Sequence, residues 1–194
     1  MATYFHFEAR TQRTGPARRR QRGTSLIEQI MVLVIIASLA GMATPPLRKL
    51  LSRSQTQVAQ TDFIAALEHA RETAITSGKP TLLCPTTDGA QCSNSTRWDS
   101  GWLLAHDSNL DNQPDDAPIY GSRGYTGKLT IQSSAGRRFV RFHPDGSASG
   151  SNITLLFCGS GSSDDALTVV TSNAGRVRGA PATSAQAAGC TQNQ

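Results

Sequence analysis

Apolar positions follow three regimes along the chain. From Thr24 to Thr44 they run almost unbroken, TSLIEQIMVLVIIASLAGMAT, with Glu28 as the only charge. They then thin to a stripe: Ala59, Phe63, Ala66, Leu67, Ala70 and Ala74 recur at three- and four-residue steps, while Gln57, Gln60, Glu68, Arg71 and Glu72 lie mostly elsewhere. That is the pattern of a helix with one buried face. Gly78, then Lys79-Pro80, supplies a permissive C-cap followed by a residue that cannot continue a helix. Beyond it come short runs separated by Gly, Pro, Asn and Asp: TLLC, WLLAH, KLTIQ, RFVRF, NITLLFC and ALTVVT. These read as strands. The expectation is an α+β protein, a long N-terminal helix packed on a C-terminal antiparallel sheet or sandwich. GSGSSDD (159–165) reads as a loop, and the tail APATSAQAAGCTQNQ as loose except where Cys190 ties it down.

Charge sharpens the first regime. The net charge is +5, and the bias lies in residues 1–23, where six arginines (Arg10, Arg13, Arg18, Arg19, Arg20, Arg22) face Glu8 alone. From Thr24 onward thirteen basic residues balance thirteen acidic ones, so the high pI says nothing of partners for that part. Within it, residues 84–120 hold Arg97 against six aspartates, and residues 130–194 hold five arginines against three. A basic site is therefore to be sought near the C-terminus. About 20 apolar residues span a bilayer core, and the arginine-rich flank keeps residues 1–23 in the cytoplasm and sends the rest out. Cys84, Cys92, Cys158 and Cys190 have no CxxC pair or zinc spacing. They read as structural disulfides on the oxidising side; loop closure favours Cys84 with Cys92 and Cys158 with Cys190, although three connectivities stay open.

A secretory signal would carry a small-residue cleavage site after the apolar run, where this chain has PPLRKLLSRSQ. An ordinary anchor has no use for a carboxylate near its start, where a charge costs free energy unless paired or functional. With these residues in view, RGTSLIEQIMVLVIIASLAGMATPP resembles the prepilin signature of type IV pilins and type II secretion pseudopilins. The resemblance implies cleavage after Gly23 by a prepilin peptidase, leaving Thr24 as the new terminus where the family has Phe. It implies that Glu28 pairs with the N-terminal amine of a neighbouring subunit and that Pro45 is where the helix bends or melts. The expected divisions are a leader at 1–23, a membrane and filament helix at 24–46, and a head at 47–194, with an amphipathic helix at 47–78 and a β-rich part at 79–194. ARETAITSGKP, WDSGWLLAHDSN and RFHPDGSASGSNITLLFC further resemble the FimT/GspH family of minor pilins and pseudopilins. That implies a low-copy filament subunit, first in the inner membrane with a periplasmic head and then in a pilus at the cell surface.

Asp107, Asn109 and Asp111 alternate like the start of a calcium loop, but Asn112 stands where that loop needs Gly and Pro118 where it needs Glu. A solvated acidic turn is the expectation, with no metal. His69, His106 and His143 stand apart and no HExxH or nucleophile elbow occurs, so no catalytic residues, enzyme activity or cofactor are expected. Trp98 and Trp102 read as core. The informative stretch is SNAGRVRGAP. Ser172, Asn173 and Gly175 make a turn, and Arg176 and Arg178 follow in an extended strand, sharing a face about 7 Å apart by twice the rise of about 3.3 Å. That spacing suits neighbouring phosphates, which an arginine fork holds through two hydrogen bonds. Read from the residues alone, solvated edge-strand charges that blunt aggregation are the favoured account of the pair, by about two to one. GRVR resembles the GRxR element of FimT proteins that bind DNA in natural transformation, carried here by Gly175, Arg176 and Arg178. Arg137, Arg138 and Arg141 extend the patch if the strands fold that way. The expected partners are double-stranded DNA, bound without base preference, and the other pilins of the filament. The alternatives are a type II secretion pseudopilin contacting secreted proteins, or a structural minor pilin that initiates assembly.

Overall fold

Helix α1, Leu26–Ser77 in the computed structural model of the chain, begins at Ser25, whose carbonyl accepts the N–H groups of Glu28 (3.0 Å) and Gln29 (3.2 Å). It ends at Gly78, whose φ of 65° and N–H bond to the Ala74 carbonyl (3.1 Å) close the last turn. The structure describes residues 23, 25–125, 127, 129–134, 136–159 and 165–191, with 42–49 by backbone alone. The chain forms two compact units, Met1–Ala43 and Thr44–Gln194.

In the first unit the helix is apolar all round, and its side chains are exposed from Leu26 (74%) to Leu39 (62%). Such a surface needs a non-aqueous neighbour. Among the described residues no helix is long and apolar enough to cross a membrane. The predicted span includes Thr24 and residues 42–44, whose side chains lie outside that description. Residues 1–22 of the expected leader lie outside it too.

In the second unit all six stripe residues of α1 are buried, with Phe63 at the centre. They pack against two four-stranded antiparallel sheets. The first contains β1 (Thr81–Pro85), β2 (Gly101–His106), β3 (Tyr120–Arg123) and, after β4 of the other sheet, β5 (Val140–Phe142), in the order β3-β2-β1-β5. The second contains β4 (Leu129–Ser133), β6 (Ile153–Gly159), β7 (Leu167–Thr171) and β8 (Val177–Pro181), in the order β4-β6-β7-β8. One core joins them to the helix: Leu83, Trp102, Leu104 and Phe142 from the first sheet, Ile131, Leu155, Phe157 and Val169 from the second. Phe63 meets Trp98, Trp102 and Phe157 at ring-centre distances of 6.0, 5.8 and 5.3 Å.

Two segments differ from expectation. The tail is helical as α2, Ser184–Thr191. Thr183 caps it by accepting the Gln186 N–H (3.3 Å), and Gln186 reciprocates at the Thr183 N–H (2.9 Å). Ala187 and Cys190 lie over Leu156 and Cys158 on the outer face of the second sheet. The other is β3, YGSR, exposed except at the half-buried Ser122, which gives no apolar run to detect.

Candidate functional site

The Ser172–Gly175 turn joins β7 to β8. Gly175 donates to the Ser172 carbonyl (2.8 Å), Ser172 N–H to the Arg176 carbonyl (3.0 Å), and Arg176 N–H to Ser172 Oγ (3.3 Å). The ladder therefore continues one pair beyond Thr171↔Val177 and Val170↔Arg178. Val177 turns inward, 9% exposed, against the core. By alternation Arg176 and Arg178 share the opposite face, and both are exposed. Among the described residues neither guanidinium has an ion-pair partner. β8 is the open edge of its sheet. It is held to α1 at Gly179, where an added Cβ would meet Ile64 Cδ1 at 2.8 Å and Gln60 Nε2 at 2.9 Å; Gln60 Nε2 also donates to the Thr168 carbonyl at 2.8 Å.

The other arginines of the expected patch are each engaged with another group. The expectation that Arg141 extends the patch is corrected: its guanidinium grips the fully buried Asp107 through Nε (3.0 Å) and Nη2, donates to Asn112 Oδ1 (2.8 Å), and lies 5.1 Å from the centre of the Phe139 ring. Arg137 donates to the Gly150 carbonyl (2.8 Å) and Asn152 Oδ1 (3.0 Å), and Arg138 to Asn94 Oδ1 (2.7 Å). Asp107 is corrected with Arg141. It is no solvated turn residue, because its carboxylate neutralises a partner in low dielectric and caps the Asp111 N–H (3.0 Å). A second buried acid, Asp99, carries no signal in the sequence. Asp99 is 7% exposed and accepts from Arg97 Nε at 2.7 Å and Nη2 at 3.0 Å. Burial pushes its carboxyl up, yet the Arg97 hydrogen bonds and charge outweigh that and hold it below the usual aspartate range.

Cys84 bonds Cys92 and Cys158 bonds Cys190. Trp98 and Trp102 are core, 0% and 3% exposed. Of the expected processing and assembly residues, Gly23 and Glu28 are exposed, and Pro45 lies within α1 in the stretch described by backbone alone. Thr24 lies outside the described residues.

The sequence matches the family described as type II transport protein GspH over residues 59–175. Among solved structures, the fold is similar to the type IV minor pilin FimU of Pseudomonas aeruginosa in two crystal forms. One is 20% identical, covering 68% of this chain and 92% of that one at a TM-score of 0.56. The other is 21% identical, covering 64% and 92% at 0.53. The minor pseudopilin EpsH of the Vibrio cholerae type 2 secretion system matches at 14% identity over 65% and 96% of the two chains, with a TM-score of 0.47. No curated protein sequence matches.

Proposed function

The chain belongs to the GspH family, among minor pilins and pseudopilins, and from that premise we propose that it is a pilus subunit that captures double-stranded DNA through Arg176 and Arg178. In this reading the precursor enters the inner membrane with a periplasmic head and is cut after Gly23 by a prepilin peptidase. It joins other pilins with Glu28 facing the new terminal amine of a neighbour, and reaches the cell surface in the filament, where it serves DNA uptake in natural transformation. The leader 1–23, filament helix 24–46 and head 47–194 are the corresponding parts. No catalytic step is involved.

The observation that carries the reading is the pair itself: two exposed guanidinium groups, without an ion-pair partner among the described residues, on one face at the start of an edge strand. Phosphate contacts of this kind position a duplex without reading bases. If two to four phosphates are neutralised, log affinity falls with log salt at about −0.9 per phosphate, or about −2 to −4 in total. The family description favours a second reading, a type II secretion pseudopilin that contacts secreted proteins; a structural minor pilin that initiates the filament is the third.

Binding of a labelled duplex to the purified full chain in detergent, followed by fluorescence anisotropy over a salt series, separates them. Arg176→Ala with Arg178→Ala removes charge and no core, so stability stays within about 0.5 kcal/mol while binding falls sharply. Cells carrying the double variant export it and take up DNA poorly. Wild-type affinity in the folded double variant would discard the DNA reading in favour of the other two.

A further inference from the structure

Gly175 sits where two turns meet. A Cβ there would lie 1.9 Å from the Gly146 carbonyl oxygen and 3.2 Å from Arg71 Nε, so the β5–β6 loop touches the β7–β8 turn backbone to backbone. Arg71, on α1, donates from Nε to that same carbonyl at 3.0 Å. The space beside Gly146 is closed by Ile75 Cδ1, 3.0 Å from where its Cβ would be. A second tie between loop and turn runs from the Ala148 N–H to the Asn173 carbonyl, 2.9 Å. Among the described residues Arg71 makes no ion pair and no other side-chain hydrogen bond. Holding a long cationic side chain in one rotamer costs conformational entropy, and here the bond it secures is to a loop carbonyl stacked on the residue before Arg176.

We propose that Arg71 is a positioning residue for the DNA surface. Through Nε and the Gly146 carbonyl it sets the turn against α1, and so fixes where Arg176 and Arg178 leave the sheet edge, without itself touching DNA. Gly175 is the packing half of the GRVR element, needed for its φ of 75° and for the approach of Gly146. The inference rests on the DNA reading of Arg176 and Arg178.

Glutamine carries its amide nitrogen at the same remove from Cα as arginine Nε, so Arg71→Gln keeps the donor and loses the charge; Arg71→Met keeps the length and loses both. In the full chain, with the same labelled duplex and salt series, Arg71→Gln is expected to bind within about threefold of wild type with the same salt slope. Arg71→Met is expected to lose about tenfold or more, tenfold being near the low end of the worth of one charge-assisted hydrogen bond. Gly175→Ala should weaken binding likewise although both arginines are present. Tryptophan fluorescence of Trp98 and Trp102 reports folding. Where Arg71→Met does not fold, Arg71→Lys replaces it, since a methylene then occupies the Nε position, and it too should bind weakly. A slope shallower by about 0.9 in Arg71→Gln would make Arg71 a phosphate contact and overturn the positioning role. Wild-type binding by Arg71→Met, or by its Lys substitute, would overturn it as well, provided Arg176→Ala/Arg178→Ala binds weakly. If that double variant itself binds like wild type, the DNA reading fails instead.

Discussion

Replacing Asp107 by Asn leaves shape and acceptor oxygen in place and deletes one charge from a buried pair. Breaking such a pair from one side costs about 3–5 kcal/mol, because the other charge stays behind without compensation. Arg141 is the better provided of the two: its side chain is 13% exposed and keeps Asn112 and the Phe139 face. Asp107→Asn therefore falls at the low end, about 3 kcal/mol, whereas Arg141→Met strands a carboxylate of 0% exposure and costs about 4–5 kcal/mol. Either is a large share of a domain stability of about 5–15 kcal/mol. The double variant holds no stranded charge and should be no worse than the worse single one, a coupling of about 3 kcal/mol. Urea unfolding followed by tryptophan fluorescence measures this, since Trp98 and Trp102 are both buried. Additive single effects, or a loss under about 1 kcal/mol in either, would refute the buried-pair argument. Folded Arg141→Met should also keep the DNA salt slope of wild type; a shallower slope would return Arg141 to the basic patch.

Loss of the Cys158–Cys190 bond, which spans 32 residues, should cost about 3.5–4 kcal/mol and release α2 from the second sheet, against about 2.5 kcal/mol for Cys84–Cys92 at a span of 8; paired Cys→Ser variants compared by urea midpoint would contradict this if the order reversed. Acid should destabilise the head. Asp99 is held below the usual value by Arg97 against its own burial, and Asp88, Asp115 and Asp145 chiefly by backbone N–H groups of Gln91, Ser108 and Ser147. For each, the folded form binds a proton less readily than the unfolded chain, so the stabilisation is full above about pH 5 and is lost as pH falls below about 4. A melting temperature that rises on acidification through that window would contradict the sign.

The helix and most strands were legible because burial imposes a period, and Ala59 to Ala74 keep theirs without interruption. β3 left no trace because it is a short, mostly exposed edge strand whose one large apolar contact is the Tyr120 ring against Trp102, so no apolar alternation is required. α2 was hidden for a different reason: Ala187 and Cys190 are too few to make a stripe, and the helix rests on the face of β6 and on a disulfide to Cys158. Arg176 and Arg178 could be placed on one face from spacing alone. Arg71 and Arg141 could not, since each is decided by a partner far along the chain, Gly146 and Asp107. The alternation of Asp107, Asn109 and Asp111 marks a turn that is solvated at Asn109 and Asp111, as expected, and anchored by a buried carboxylate at Asp107, which spacing alone does not show.

An edge strand needs charge to discourage pairing with another chain, and that need alone would explain basic residues on β8. It does not explain their placement. Protection is satisfied by any solvated charge, lysine above all, and asks nothing of the backbone behind it. Here the preceding glycine admits no side chain, the loop beneath it is bonded to α1 through Arg71, and Gly179 seats the strand on Gln60 and Ile64. Three side chains of one helix, Gln60 and Ile64 at the strand and Arg71 at the loop behind its turn, fix where Arg178 on β8 and Arg176 just before it stand. Constraint of that kind matters for a ligand of fixed geometry, because two forks held at a set spacing lose less entropy on meeting a phosphate backbone than two charges on a loose edge. The prediction that separates the two accounts is the behaviour of Gly175→Ala. An edge guarded only by charge would notice little, whereas a surface built for phosphates loses affinity with both arginines still in place.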